Sequence, residues 1–202
     1  MPDYPLYLAF LGATTLLMLI PGPNVALIVG NSLRFGRRAG LLTVAGTSSA
    51  ILVQLTLTAL GLDAVLGLLA AWFDWLRWLG AAYLVLLGIR QWRAPILAAS
   101  APASAAGALY GRGFAVSLVN PKTLLFYGAF FPQFIRGDVP ALPQILVLSA
   151  TFLALAILID SGWAMLAARA RFVLAGRGRL RNRLSGGLLI GAGLGLALAR
   201  RR

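Results

Sequence analysis

Residues 20–30, IPGPNVALIVG, lie inside a run that carries no charge from Tyr4 to Leu33. That run exceeds the roughly 20 apolar residues a helix needs to cross about 30 Å of hydrocarbon. Pro21 and Pro23 remove backbone donors and clash with the preceding turn, and Gly22 between them permits a sharp change of direction. The reading is a transmembrane helix broken near its middle. Carbonyls freed by such a break are costly in hydrocarbon unless they meet protein, water or a ligand.

Working outward, further charge-poor stretches cover residues 39–62, about Leu68 to Ile89, Gly113 to Ile135, Gln144 to Ala168 and Leu184 to Ala199. Asp74 and Arg77 fall near the start of the third span, Lys122 alone interrupts the fourth, and Asp160 alone the fifth. The sixth is about 24 Å long at 1.5 Å per residue, so it crosses only with local thinning or snorkelling of its flanking arginines. Six transmembrane helices are expected. Met-Pro-Asp at the start has no positive region and the apolar run is too long for a cleavable signal, so the first stretch reads as a span.

Composition agrees. The chain has 202 residues, 60% of them hydrophobic and 11% charged, with a mean hydropathy of +0.86. Soluble domains carry about 25% charged residues. The net charge of +13 comes from 17 Arg and one Lys against five Asp, with no Glu. Cys and His are absent, which removes disulfides, thiolate nucleophiles, Cys/His zinc sites and every Ser-His or Cys-His arrangement. The few Asp are too scattered for a paired-carboxylate or metal site, and no cofactor is expected.

The arginines set the orientation. Twelve of the 17 sit in the connections after spans one, three and five: Arg34, Arg37 and Arg38; Arg90, Arg93 and Arg112; and six between Arg169 and Arg183. The positive-inside bias places those loops in the cytoplasm and both termini outside, with Arg200 to Arg202 as an exception. Losing one helix would also move that triplet inside. The basic charge then contacts anionic lipid head groups, and a nucleic-acid role has no support. Tyr4, Tyr7, Trp72, Trp75, Trp78 and Trp92 fall where interfacial aromatic belts are expected. Asp74 and Arg77, three apart, read as a structural pair.

An Ala/Ser/Pro stretch divides the chain into a first three-helix repeat (1–93), a cytoplasmic linker (94–112) and a second repeat (113–202). With three spans each, two equivalent halves insert with opposite orientation. IPGPNVALIVG aligns with LVNPKTLLFYG at 118–128, matching Pro23 to Pro121 and Gly30 to Gly128. Inverted repeats with helices broken at corresponding positions are a transporter pattern, with substrate bound where the halves meet. A packing kink at each Pro is the alternative.

Depth points to the same region. Lys122 lies roughly 13 Å and Asp160 roughly 12 Å from the cytoplasmic boundary by helical rise. Asn24 and Thr47, Ser48 and Ser49 fall at a similar level. The Lys stem, about 6 Å long, does not reach that boundary. Lys122 and Asp160 read either as a structural ion pair or as a substrate and proton pathway. Burial favours the neutral acid and a nearby Lys favours the carboxylate, so the charge of Asp160 is open and a proton carrier is one reading. Gly187, Gly191 and Gly195, and Gly80 and Gly88 with Ala81, read as helix packing. Gln54 is a weak site candidate, and Tyr127 and Trp163 either line a cavity or fill core, with core the favoured reading.

Pro-Gly-Pro at 21–23, WLGAAYLVLLGIRQWR at 78–93, and Gly113-Phe114 leading into NPKTLLFYGAFFPQF at 120–134 resemble the lysine-exporter superfamily, specifically its LysE/RhtB homoserine and threonine efflux branch. The resemblance covers essentially the whole chain. It implies a multi-pass transporter of the bacterial inner membrane, exporting amino acids or their derivatives by proton antiport. Carried over, the motif residues are Pro21, Gly22, Pro23, Asn120, Pro121, Lys122 and Asp160; with Asn24 and Ser48 from the depth argument they form the expected substrate site. Asp160 is the expected proton carrier. Partners are then an amino acid, protons and lipid, and a homo-oligomer is left open. An intramembrane enzyme using Ser or Thr with Lys122, and a passive channel or scaffold, are the rival classes.

Overall fold

The computed structural model describes residues 3–60, 73–94, 106–127, 131–174 and 177–198. Among these, all regular structure is helical. The helices are α1 Tyr4–Leu19, α2 Pro23–Phe35, α3 Arg37–Ala59, α4 Phe73–Trp92, α5 Ala106–Leu118, α6 Pro121–Leu125, α7 Ala141–Val173 and α8 Gly178–Leu198, with a 3-10 turn at Phe131–Phe134.

The first expected span is two helices. Ile20 takes an extended conformation, as a residue before proline must, so α1 ends there with Ile20 N–H bonded to Leu16 O at 3.2 Å. Gly22 is also extended, and Pro23 opens α2 at a position where its missing N–H is no loss. The two helix axes differ by 50°. The fourth expected span is divided in the same way: Asn120 separates α5 from α6, and its Oδ1 accepts from Lys122 N–H at 3.1 Å as an N-cap.

Two helices, α3 and α7, are each long and apolar enough to cross a membrane, and the bent pair α1–α2 makes a third. At 33 residues α7 is about 50 Å long, well beyond the hydrocarbon thickness. The sixth expected span is longer than its apolar stretch, because Arg179, Arg181 and Arg183 continue the helix; the 21 residues of α8 measure about 31 Å. The fourth begins at Ala106 rather than Gly113, inside the expected linker, whose residues 95–105 lie outside the described ones. Trp72 and the side chains of Asp74 and Arg77 also lie outside them. Tyr4, Trp75, Trp78 and Trp92 are exposed, as interfacial aromatics are.

Small residues bring the helices together. A Cβ on Gly113 would stand 2.5 Å from Thr43 O, and one on Gly46 would overlap Tyr110 O, so α3 and α5 cross with backbones in contact. In α4 and α8, Cβ atoms on Gly88 and Gly186 would stand 2.8 and 2.7 Å from each other's carbonyl oxygens. The glycine stripe expected at 187, 191 and 195 packs only in part: Gly186 and Gly193 meet the α4 backbone and Gly187 the Trp92 ring, whereas Gly191 and Gly195 face open space.

The second half of the NPK motif is anchored by aromatic packing. Phe126, Tyr127, Phe131 and Phe134 enclose Phe10 of α1 and Phe152 of α7, with ring centroids 5.1 to 6.5 Å apart. Tyr127 is core, as expected. On the loop before α7 the Arg136 guanidinium bonds Asp138 and holds its exposed carboxyl below the usual carboxylate range.

Gly46→Ala is expected to destabilise the protein by about 1–3 kcal/mol, because a methyl group has no room against Tyr110 O. Gly191→Ala, with nothing within 4 Å, should leave thermal stability in detergent equal or raised.

Candidate functional site

The Pro21 break leaves a carbonyl that the helix does not use. Ile20 O accepts from Lys122 Nζ at 2.6 Å, a charge-assisted bond linking the α1–α2 break to the α5–α6 break across 102 residues of sequence. The Lys122 stem passes over Gly22: a Cβ there would stand 3.4 Å from Lys122 Cδ. The two interruptions thus meet, and the only lysine of the chain joins them.

Beneath this contact is a small cavity of about 20 Å³, enough for about one water. Gly22, Asn24, Asn120, Lys122, Thr123 and Asp160 supply its polar lining. Asp160, on α7, is 3% exposed. It forms no ion pair with Lys122, whose ammonium is held on Ile20 O instead. The simple structural pair expected as one reading is therefore not made. Both charges border one cavity with capacity for further partners.

A second, much larger groove of about 870 Å³ begins at the same residues. Pro21, Gly22, Pro23, Asn120 and Lys122 form its inner end, and it runs between α2 and the Gly191–Gly195 face of α8 towards Trp92 and Arg183. Its volume is in the range of about 300–1,000 Å³ that holds small-molecule ligands. Trp163 lines it, with an indole N–H that is buried without a partner, so of its two expected roles the cavity-lining one applies rather than the favoured core one.

A buried polar lattice holds the breaks in register. Asn24 Nδ2 donates to Ser117 Oγ at 3.0 Å, and Ser117 Oγ donates to Thr47 O at 3.1 Å. Gln54 Nε2 donates to Ser117 O and Leu118 O at 3.1 and 2.9 Å, catching carbonyls released where α5 ends. Thr123 Oγ1 donates to Asn120 O at 3.0 Å. Asn24 Oδ1 is left buried without a partner. Gln54 is thus a support of the site, which its position in an apolar stretch signalled without saying for what.

Of the residues expected at the site, Pro121 opens α6, and its side chain is not among those described. Ser48 does not join the others. It is buried with an unpartnered Oγ but borders neither cavity, and Ser49 is only partly buried, its hydroxyl turned back to Ala45 O. Shared depth is not shared direction: what Ser117 meets on α3 is the backbone carbonyl of Thr47, whose hydroxyl turns back to Val44 O.

Apolar helices of membrane length, broken where two opposite charges border one cavity, describe a membrane protein that handles a polar solute. The chain belongs to the LysE type translocator family, whose model matches residues 15–200. It is 34% identical over 199 residues to the homoserine/homoserine lactone efflux protein of Salmonella typhimurium (strain LT2), covering 96% of this chain and 97% of that one. The protein of the same description from Salmonella typhi is equally similar, and an uncharacterized membrane protein of Vibrio cholerae is 32% identical over 203 residues, covering 98% of this chain and 99% of its own length. No solved structure matches.

Gln54→Leu takes the side-chain donor from Leu118 O and leaves Ser117 O with the Asn120 N–H alone. It should lower stability by roughly 1–3 kcal/mol in detergent unfolding, with the helix content of the folded protein unchanged.

Proposed function

We propose that this protein is a secondary exporter of amino acids or close derivatives in the bacterial inner membrane, working by alternating access and energised by proton antiport. Six membrane spans, the first and fourth broken, form two inverted three-span repeats with both termini outside, and the site lies where the repeats meet. The observation that carries this reading is the Lys122–Ile20 bond beside the Asp160 cavity, a cation that joins two broken helices and an acid of α7 on one cavity. The names of the Salmonella relatives make homoserine and its lactone the first substrates to test.

The residues suggest how the cycle runs. A zwitterion arriving from the cytoplasm brings its carboxylate to Lys122 and draws the ammonium away from Ile20 O. Its own ammonium then meets Asp160 and the freed carbonyl. Lys122 thus exchanges one acceptor for another, and the link between the two breaks is released as substrate is bound. Protonation of Asp160 from outside removes the counter-charge for the substrate ammonium, favours release, and returns the protein with a proton. Asp160 and Lys122 act together; Pro21, Gly22, Pro23, Asn24, Asn120 and Pro121 shape the site.

Homoserine has a carboxylate and an ammonium, whereas its lactone keeps only the ammonium. In proteoliposomes loaded with either compound and given an acidic exterior, Lys122→Gln should reduce homoserine efflux roughly tenfold to a hundredfold and lactone efflux much less. Asp160→Asn should impair both and abolish the response to the pH gradient. Full gradient-driven export by Asp160→Asn would sink the proton-carrier role.

A further inference from the structure

At the end of the bundle away from Asp138, arginines from separate helices converge without an acid. Arg34 ends α2 and donates from Nη1 to Gln91 Oε1 of α4 at 2.5 Å. Arg112 of α5 and Arg181 of α8 lie close enough to repel Arg34, and Arg171 of α7 repels Arg181 in turn. Among the described residues none of them has an ion pair with an acid; the pair there is Arg136 with Asp138.

Two donors in this cluster are buried and unsatisfied. Gln91 is 5% exposed, its Oε1 is taken by Arg34, and its Nε2 has no partner. Nε of Arg181 is likewise buried with none. A buried donor left without an acceptor costs about 1–3 kcal/mol, more for a charged group, so two beside repelling guanidinium groups mark a place suited to an anion. The alternative, that these groups only cap helix ends, does not fit. Asn182 Nδ2 already takes the terminal carbonyl nearby, donating to Ala94 O at 2.9 Å.

We infer that Arg34, Gln91 and Arg181, with Arg112 beside them, form a site for a phosphoryl oxyanion, and that its occupant is the phosphodiester of an anionic phospholipid. Guanidinium and amide donors suit phosphate oxygens, and basic pockets between helices at the cytoplasmic boundary bind such head groups. The lipid source is favoured over free phosphate by the adjoining surface. Trp92 and Arg183, next in sequence to Gln91 and Asn182, open the large groove, whose wall continues as Leu184 and Leu188. An acyl chain buries apolar area there, and inorganic phosphate buries none.

The test uses the full chain purified in detergent and its thermal unfolding during titration with dioleoyl-phosphatidylglycerol, dioleoyl-phosphatidylcholine or inorganic phosphate. Phosphatidylglycerol should raise Tm, and the other two should not. Arg34→Ala or Arg181→Ala should each raise the half-saturating phosphatidylglycerol concentration about fivefold. Arg37→Ala and Arg38→Ala, at exposed positions in the first turn of α3, should leave it unchanged. Gln91→Glu supplies the missing anion from within, so it should raise the lipid-free Tm and remove the response. Equal stabilisation by phosphatidylcholine or by inorganic phosphate overturns the assignment. So does a Gln91→Glu protein that has a lowered Tm and still responds to phosphatidylglycerol.

Discussion

A carbonyl with no helical partner must find a donor when water is scarce, and the structure turns on how one such carbonyl does so. Pro21 cannot donate and forces Ile20 out of the helix, so Ile20 O is free in an apolar environment. The donor is the ammonium of Lys122, which sits at the other break. Each feature answers a problem posed by the other: an ammonium held within a span needs an acceptor, and the freed carbonyl needs a donor. The remaining polar lattice repeats this logic with neutral groups, as Gln54 serves the carbonyls at the end of α5 and Asn120 caps α6.

Close helix packing makes the arrangement possible. The carbonyls served by Gln54 are in reach because Gly46 and Gly113 let α3 and α5 touch along their backbones. Aromatic rings after the NPK motif then wedge that segment between α1 and α7, which sets Lys122 and Asp160 beside one cavity. Where glycines are not used for contact, at Gly191 and Gly195, the wall of the large groove recedes. Small residues thus do two jobs on one helix, and rotation decides which.

The breaks were legible because proline chemistry is local: Ile-Pro-Gly-Pro and Asn-Pro-Lys end helices wherever they stand. The common depth of Asn24, Lys122 and Asp160 was legible too, since helical rise converts residue number into height. Direction was not. Depth cannot say that Ser48 borders neither cavity, or that Gly186 and Gly193 rather than Gly191 and Gly195 meet the α4 backbone, because both depend on helix rotation set by packing across the chain. The Lys122 acceptor was hidden for a related reason. Charge suggested Asp160, but the nearer acceptor is a backbone oxygen that no side-chain inventory contains. Likewise, the Ala/Gly-rich residues before Gly113 carry no periodic charge to announce that α5 starts at Ala106.

The central claim is that Lys122 bonds the Ile20 carbonyl until substrate replaces it. Labelling is favourable: Lys122 is the only lysine, and Ile20-Pro21 the only Ile-Pro bond. Solid-state NMR of the protein in bilayers, with ¹⁵Nζ-lysine and ¹³C-carbonyl isoleucine, should show a through-space cross-peak between Lys122 Nζ and the Ile20 carbonyl. Saturation with carboxyl-labelled homoserine should remove that cross-peak and create one between Lys122 Nζ and the homoserine carboxylate. A substrate-free protein without the cross-peak, or one whose cross-peak survives saturation unchanged, would contradict the account.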